Sequence, residues 1–121
     1  MALTANILIA LTALLHLGFL VLEMFLWTGP LGRRVFRMSQ QQADATKVLA
    51  GNQGLYNGFL SAGLFWSLIA SPPDLGVQLK LFFLVCVVVA AIYGAWSVSP
   101  RILVVQGGPA LLALLFLFLA S

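Results

Sequence analysis

Four apolar runs, separated from one another by three breaks that contain proline, govern what this chain can become. They extend over about residues 3–27, 48–70, 77–98 and 102–120, and the punctuation between them is Thr28-Gly29-Pro30, Ser71-Pro72-Pro73-Asp74 and Ser99-Pro100. A helix rises about 1.5 Å per residue, so crossing the roughly 30 Å hydrocarbon core takes about 20 apolar residues. Each run is close to that length, and proline or glycine stops a helix where it stands. The expected fold is all-α: a single domain over residues 1–121, forming an integral membrane bundle of four transmembrane helices.

Composition agrees, with 7% of the residues charged, 62% hydrophobic and a mean hydropathy of +1.08. An ordinary soluble domain carries about 25% charged residues, so this chain cannot cover a water-facing surface. A soluble enzyme, a nucleic-acid reader and a disordered linker are excluded. The net charge of +3 therefore needs another explanation than a nucleic-acid partner.

Of the six basic residues, Arg33, Arg34, Arg37 and Lys47 fall in the first connection, and Arg101 falls in the third. The second connection has Asp74 and no basic residue. Basic loops stay in the cytoplasm, which places both termini on the non-cytoplasmic side and argues against a dual topology. An anionic-lipid site is the alternative reading of the cluster, although such sites usually have a denser basic run. Lys80 is the exception within a run, with a stem long enough to snorkel outward. The first run is read as a retained span: no Lys or Arg precedes Arg33, and the run is too long for a leader and contains Glu23. No lipidation motif is present, and the single Cys86 is expected to be an inert, buried thiol.

The first connection contains Ser39-Gln40-Gln41-Gln42, a capping-box pattern in which Ser39 accepts from a backbone N–H and Gln42 reaches back. Nothing after it breaks a helix before the proline pair. One continuous helix is predicted over about residues 40–70, roughly 46 Å long, with its first two turns in the cytoplasm.

Polar side chains inside a membrane are costly, and an ionisable one marks a functional site by default. His16 and Glu23 stand seven residues apart, on nearly the same face, with Thr12 and Trp27 extending the stripe. Their separation of roughly 10.5 Å along the axis prevents a direct hydrogen bond. In the second run Asn52, Gln53, Tyr56, Asn57 and Ser61 fill one face, while Gly54, Gly58 and Ala62 make a small-residue ridge for helix packing. Counting inward from the cytoplasmic boundary, Glu23, Asn52, Gln53, Tyr56, Tyr93 and Gln106 fall in one layer, roughly 6–12 Å deep. Pro109, in Gln106-Gly107-Gly108-Pro109, frees the carbonyl of Val105 and either shapes a pocket or adjusts packing.

The segments Leu15-His16-Leu17, Leu22 to Trp27, Gly32 to Phe36, Asn52 to Leu60, Ile92-Tyr93-Gly94 and Gln106 with Pro109 resemble the bacterial membrane-protein family catalogued as domain of unknown function 1304. The resemblance covers nearly the whole chain. It implies a small, multi-pass, four-helix protein of the bacterial inner membrane and assigns no activity.

Three functions fit these residues. The first is binding or processing of a hydrophobic small molecule or lipid, with Glu23 and His16 as acid–base candidates. Asn52, Gln53, Tyr56, Asn57, Tyr93, Gln106 and Trp27 would line that ligand site. The second is a small proton-coupled transporter, weakened by the lack of an inverted repeat. The third is a structural or accessory subunit whose polar layer locks the helices. One His, one Glu and a lone Cys do not make a metal site within one protomer, and no haem-attachment motif is present, so no cofactor is expected. The lipid bilayer is the certain partner, and a homo-oligomer stays open.

Overall fold

The computed structural model describes residues 1–121 and is all-helical, with 88% helix and no strand. The order is α1 (Ala2–Met24), α2 (Pro30–Phe36), α3 (Gln40–Ile69), α4 (Pro73–Ser97), α5 (Pro100–Ile102), a π-helical turn (Leu103–Gly107) and α6 (Gly108–Ala120). Three stretches, Ala2–Met24, Pro73–Ser97 and Pro100–Ala120, are long and apolar enough to cross a membrane. Helix α3 is longer than any of these, but Asn52, Gln53 and Asn57 dilute its apolar part, and it does not reach the same standard.

The chain packs as two compact units, one of residues 1–15 with 60–121 and the other of residues 16–59. In the first, Ala5, Ile9, Ala13, Leu64, Leu84, Val87, Ala110, Ala113 and Leu117 form the core. Many of these are alanines, whereas bulky Phe82, Val89, Ile92 and Phe118 face outward. That is the reverse of a soluble core. In lipid, large apolar side chains gain nothing by leaving the surface, and helices associate where small residues let backbones approach. Gly63 is such a point, because a Cβ there would lie 2.2 Å from the Phe83 ring. The Ser61 hydroxyl donates to the Ala13 carbonyl at 2.8 Å, tying α3 to α1 without leaving a polar group exposed to lipid.

In the last run the π-helical turn ends at Gly107, α6 starts at Gly108, and Pro109 lies in its first turn. Pro109 has no N–H to donate to the preceding turn, and the Gly108 N–H beside it bonds the Val104 carbonyl. Gly107 lies against Ala91 of α4, where a Cβ would come within 3.1 Å.

The 16–59 unit holds the end of α1, all of α2 and the start of α3. The capping box forms as the sequence predicts: the Gln42 N–H donates to Ser39 Oγ at 3.1 Å, and the Ser39 N–H donates to Gln42 Oε1 at 2.9 Å. Helix α3 then runs unbroken to Ile69. The first run behaves differently. Helix α1 stops at Met24, before the predicted Trp27, and the Leu26 N–H reaches back five residues to Val21 at 3.2 Å. Trp27 leaves the helix because its indole N–H donates to Thr46 Oγ1 at 3.0 Å and its ring packs on Phe36, 4.8 Å between centroids. Helix α2 was not apparent from the sequence; Pro30 opens it and Arg37, at φ 55°, closes it in the left-handed conformation.

Gly32 of α2 sits against the turn that follows α1. A Cβ there would lie 2.1 Å from the Leu26 carbonyl oxygen and 2.8 Å from that of Trp27, and neither backbone atom can swing aside. Gly32→Ala is expected to destabilise the protein by about 1–3 kcal/mol, the usual range for overpacking. Gly51→Ala, where a Cβ meets nothing within 4 Å, should instead gain up to about 1 kcal/mol of helix propensity. Thermal unfolding of the two variants in one detergent checks the opposite signs.

Candidate functional site

The site is built within residues 16–59, where α1 and α3 approach closely. Gly54 faces Glu23 and Met24, and its added Cβ would lie 3.0 Å from Glu23 Cβ and 2.7 Å from Met24 Cγ. Gly58 faces Leu20 in the same way, at 2.6 Å from its Cδ1. These two glycines are the first members of the predicted ridge; Ala62, the third, is exposed.

This close approach lets Asn57 reach across to α1. Its side-chain amide donates to Glu23 Oε1 at 2.5 Å, and both residues are buried, at 7% and 8% exposure. No buried side-chain oxygen lacks a partner, so Glu23 Oε2, which accepts no such bond, is open to its surroundings. Glu23 lines a cleft of about 250 Å³. Glu23, Trp27, Thr28 and Lys47 supply its polar lining, and Met24 and Val48 are among its apolar walls. No ion pair joins Glu23 to Lys47, although both line the cleft.

The walls are held from behind. Trp27 is fixed by Thr46, whose hydroxyl in turn donates to the Gln42 carbonyl at 2.7 Å. The Thr28 carbonyl accepts from Arg33 Nε at 3.2 Å and from Gln40 Nε2 at 3.3 Å. Glu23, Lys47, Trp27 and Thr28 thus line one small space, suited to a ligand with a compact polar end. No three His, Cys, Asp or Glu side chains come together as metal ligands would.

The remaining predicted residues lie elsewhere. His16 is buried, at 1% exposure, with its ring edge-on to Phe19 at 5.8 Å; it is not in the cleft lining. Thr12, His16 and Glu23 do share the buried face of α1, as their spacing predicts, but Trp27 is outside that helix. Asn52 and Gln53 are exposed, and so is Tyr56, which packs on Phe59. In the other unit Tyr93 is exposed beside Trp96, and Gln106 is half-buried within the π-helical turn. Lys47 lines the cleft as well and is not among the residues predicted for a site, because the sequence reading assigns its charge to topology. Its signal was available: it stands beside Val48 at the start of the apolar part of α3.

Residues 10–118 match the family described as protein of unknown function (DUF1304). The chain is also 32% identical over 120 residues to the uncharacterized protein YpaA of Lactococcus lactis subsp. lactis (strain IL1403), covering 98% of this chain and 99% of the relative. No solved structure matches. The chain belongs to the DUF1304 family.

Removing the amide donor isolates the site's central bond. Asn57→Ala should cost about 1–3 kcal/mol, because it leaves the Glu23 carboxyl without its donor. In a cycle with Glu23→Ala the coupling should be about 0.6–2 kcal/mol, the range of interhelical polar bonds in membranes. Unfolding in detergent measures it, and additive single effects would show that the bond contributes nothing.

Proposed function

We propose that this DUF1304 protein is a multi-pass protein of the bacterial inner membrane that binds the polar end of a hydrophobic small molecule or lipid beside Glu23. In this reading α3 is a fourth crossing, from about Val48 onward, and its first two turns project into the cytoplasm. Arg33, Arg34, Arg37, Lys47 and Arg101 hold the basic connections in the cytoplasm, and both termini lie on the other side. The cleft then opens near the cytoplasmic boundary, where a ligand can keep its apolar part in lipid and its polar end among Glu23, Lys47 and Trp27.

The bond from Asn57 to Glu23 carries the reading. A glutamine at position 23 would accept the same hydrogen bond without the cost of placing an ionisable group in a membrane-spanning helix. Glutamate instead leaves a second oxygen for the cleft. Binding is favoured over turnover because His16, the other acid–base candidate, does not line that space. The exposed amides of Asn52 and Gln53 need partners of their own within a span, and a second copy of the chain would supply them.

The test is the Glu23→Gln variant. It keeps an acceptor for Asn57, so its unfolding temperature should match the parent. Amphiphiles that co-purify with the parent after detergent exchange, measured by mass spectrometry, should fall at least about tenfold in the variant. That factor corresponds to the ~1.5 kcal/mol of one hydrogen bond to a charged group. A variant that is equally stable and carries the same amphiphiles would leave Glu23 a purely structural role.

A further inference from the structure

Lys80 lies in the unit formed by residues 1–15 and 60–121, within the apolar helix α4. The sequence allows its stem to snorkel outward. Its ammonium donates to Asn6 Oδ1 of α1 at 2.9 Å. An ammonium has three donors, and here one is used, by a neutral amide oxygen; no carboxylate pairs with the charge.

Lys80 and Asn6 line a cleft of about 380 Å³, whose other walls include Ala5, Val77, Leu81 and Phe118. The volume lies within the ordinary range for a ligand site. Its chemistry has two parts: a cation with spare donors at one place and aliphatic and aromatic surface around it. The positive charge selects an anion. The apolar walls contribute nothing to a free soluble anion, but they accommodate a hydrocarbon chain attached to one. A cation held inside an apolar span is in any case a functional site by default.

The geometry points to this cleft as a binding site for one anionic phospholipid, with phosphate oxygens on Lys80 Nζ and an acyl chain along Val77, Leu81 and Phe118. The site shares no residue with the Glu23 cleft and does not depend on it. Asn6 acts as a positioning residue, holding the ammonium in the cleft and limiting its swing to the surface.

Native mass spectrometry of the delipidated full chain in detergent tests the assignment. The probes are phosphatidylglycerol, phosphatidylcholine with the same acyl chains, and inorganic phosphate. The parent should hold one phosphatidylglycerol about tenfold more tightly than phosphatidylcholine, as a charge-assisted hydrogen bond would dictate. Lys80→Gln, which retains a donor for Asn6, should lose that preference. Lys80→Arg should keep it, and Arg34→Gln, in the exposed basic segment, should leave it unchanged. Val77→Trp, which narrows the cleft, should weaken both lipids together. Equal preference in Lys80→Gln and the parent would overturn the assignment. So would displacement of phosphatidylglycerol by inorganic phosphate at matched concentration, which would mark a soluble anion as the ligand. Should Lys80→Gln fail to fold, loss of the preference in Lys80→Arg would equally overturn it.

Discussion

The hydrogen bond from Asn57 to Glu23 exists only because α1 and α3 come close enough for a short amide to cross between them. Two glycines make that distance available: a Cβ at Gly54 or Gly58 would drive into Met24, Glu23 or Leu20. In lipid there is little hydrophobic gain from hiding a leucine, so close backbone approach and a polar bond do the work that a bulky core does in water. The cleft follows from this arrangement. With one carboxyl oxygen bonded to Asn57, Glu23 lines the cleft together with Trp27, Thr28 and Lys47.

Within residues 1–15 and 60–121 the same economy appears in another form. Ala5, Ala13, Ala110 and Ala113 fill the interior, and Gly63 and Gly107 receive Phe83 and Ala91. Buried Ser61 and Ser67 hand their hydroxyl protons to backbone carbonyls, so neither becomes an unsatisfied polar group. The π-helical turn at Leu103–Gly107 belongs to this pattern too. Proline in the first turn of α6 cannot donate a bond to the preceding turn, and the wider turn beside it carries Gly107 up against α4.

What the sequence reveals here follows the range of the forces involved. Helix breaks at proline, the capping box of Ser39 and Gln42, and the unbroken length of α3 depend on near neighbours in the chain, and all are legible. The shared face of Thr12, His16 and Glu23 is legible for the same reason, since helical periodicity alone determines it. The early end of α1 is not, because it depends on Trp27 meeting Thr46 and Phe36 from later in the chain. Helix α2 escapes notice because its closing residue is an arginine in a conformation normally given to glycine. Counting turns inward from a boundary yields depth but not direction. Helical periodicity puts Asn52, Gln53, Tyr56, Asn57 and Ser61 on one face, whereas Asn57 and Ser61 are buried and the other three are exposed.

Direction also separates the charges by role. Arg34 and Arg37 are exposed within or just after α2, where water reaches them and their charge is available to set topology. Lys47 and Lys80 carry the same charge in different company. One stands in a cleft opposite a carboxylate that it does not pair with; the other bonds only a neutral amide among apolar walls. An ammonium set against uncharged or unpaired neighbours retains donors, and such donors gain more in a low-dielectric setting than in water. Lys80 thus differs from the exposed Arg34 and Arg37 in having a side-chain partner, Asn6, on another helix of its own unit.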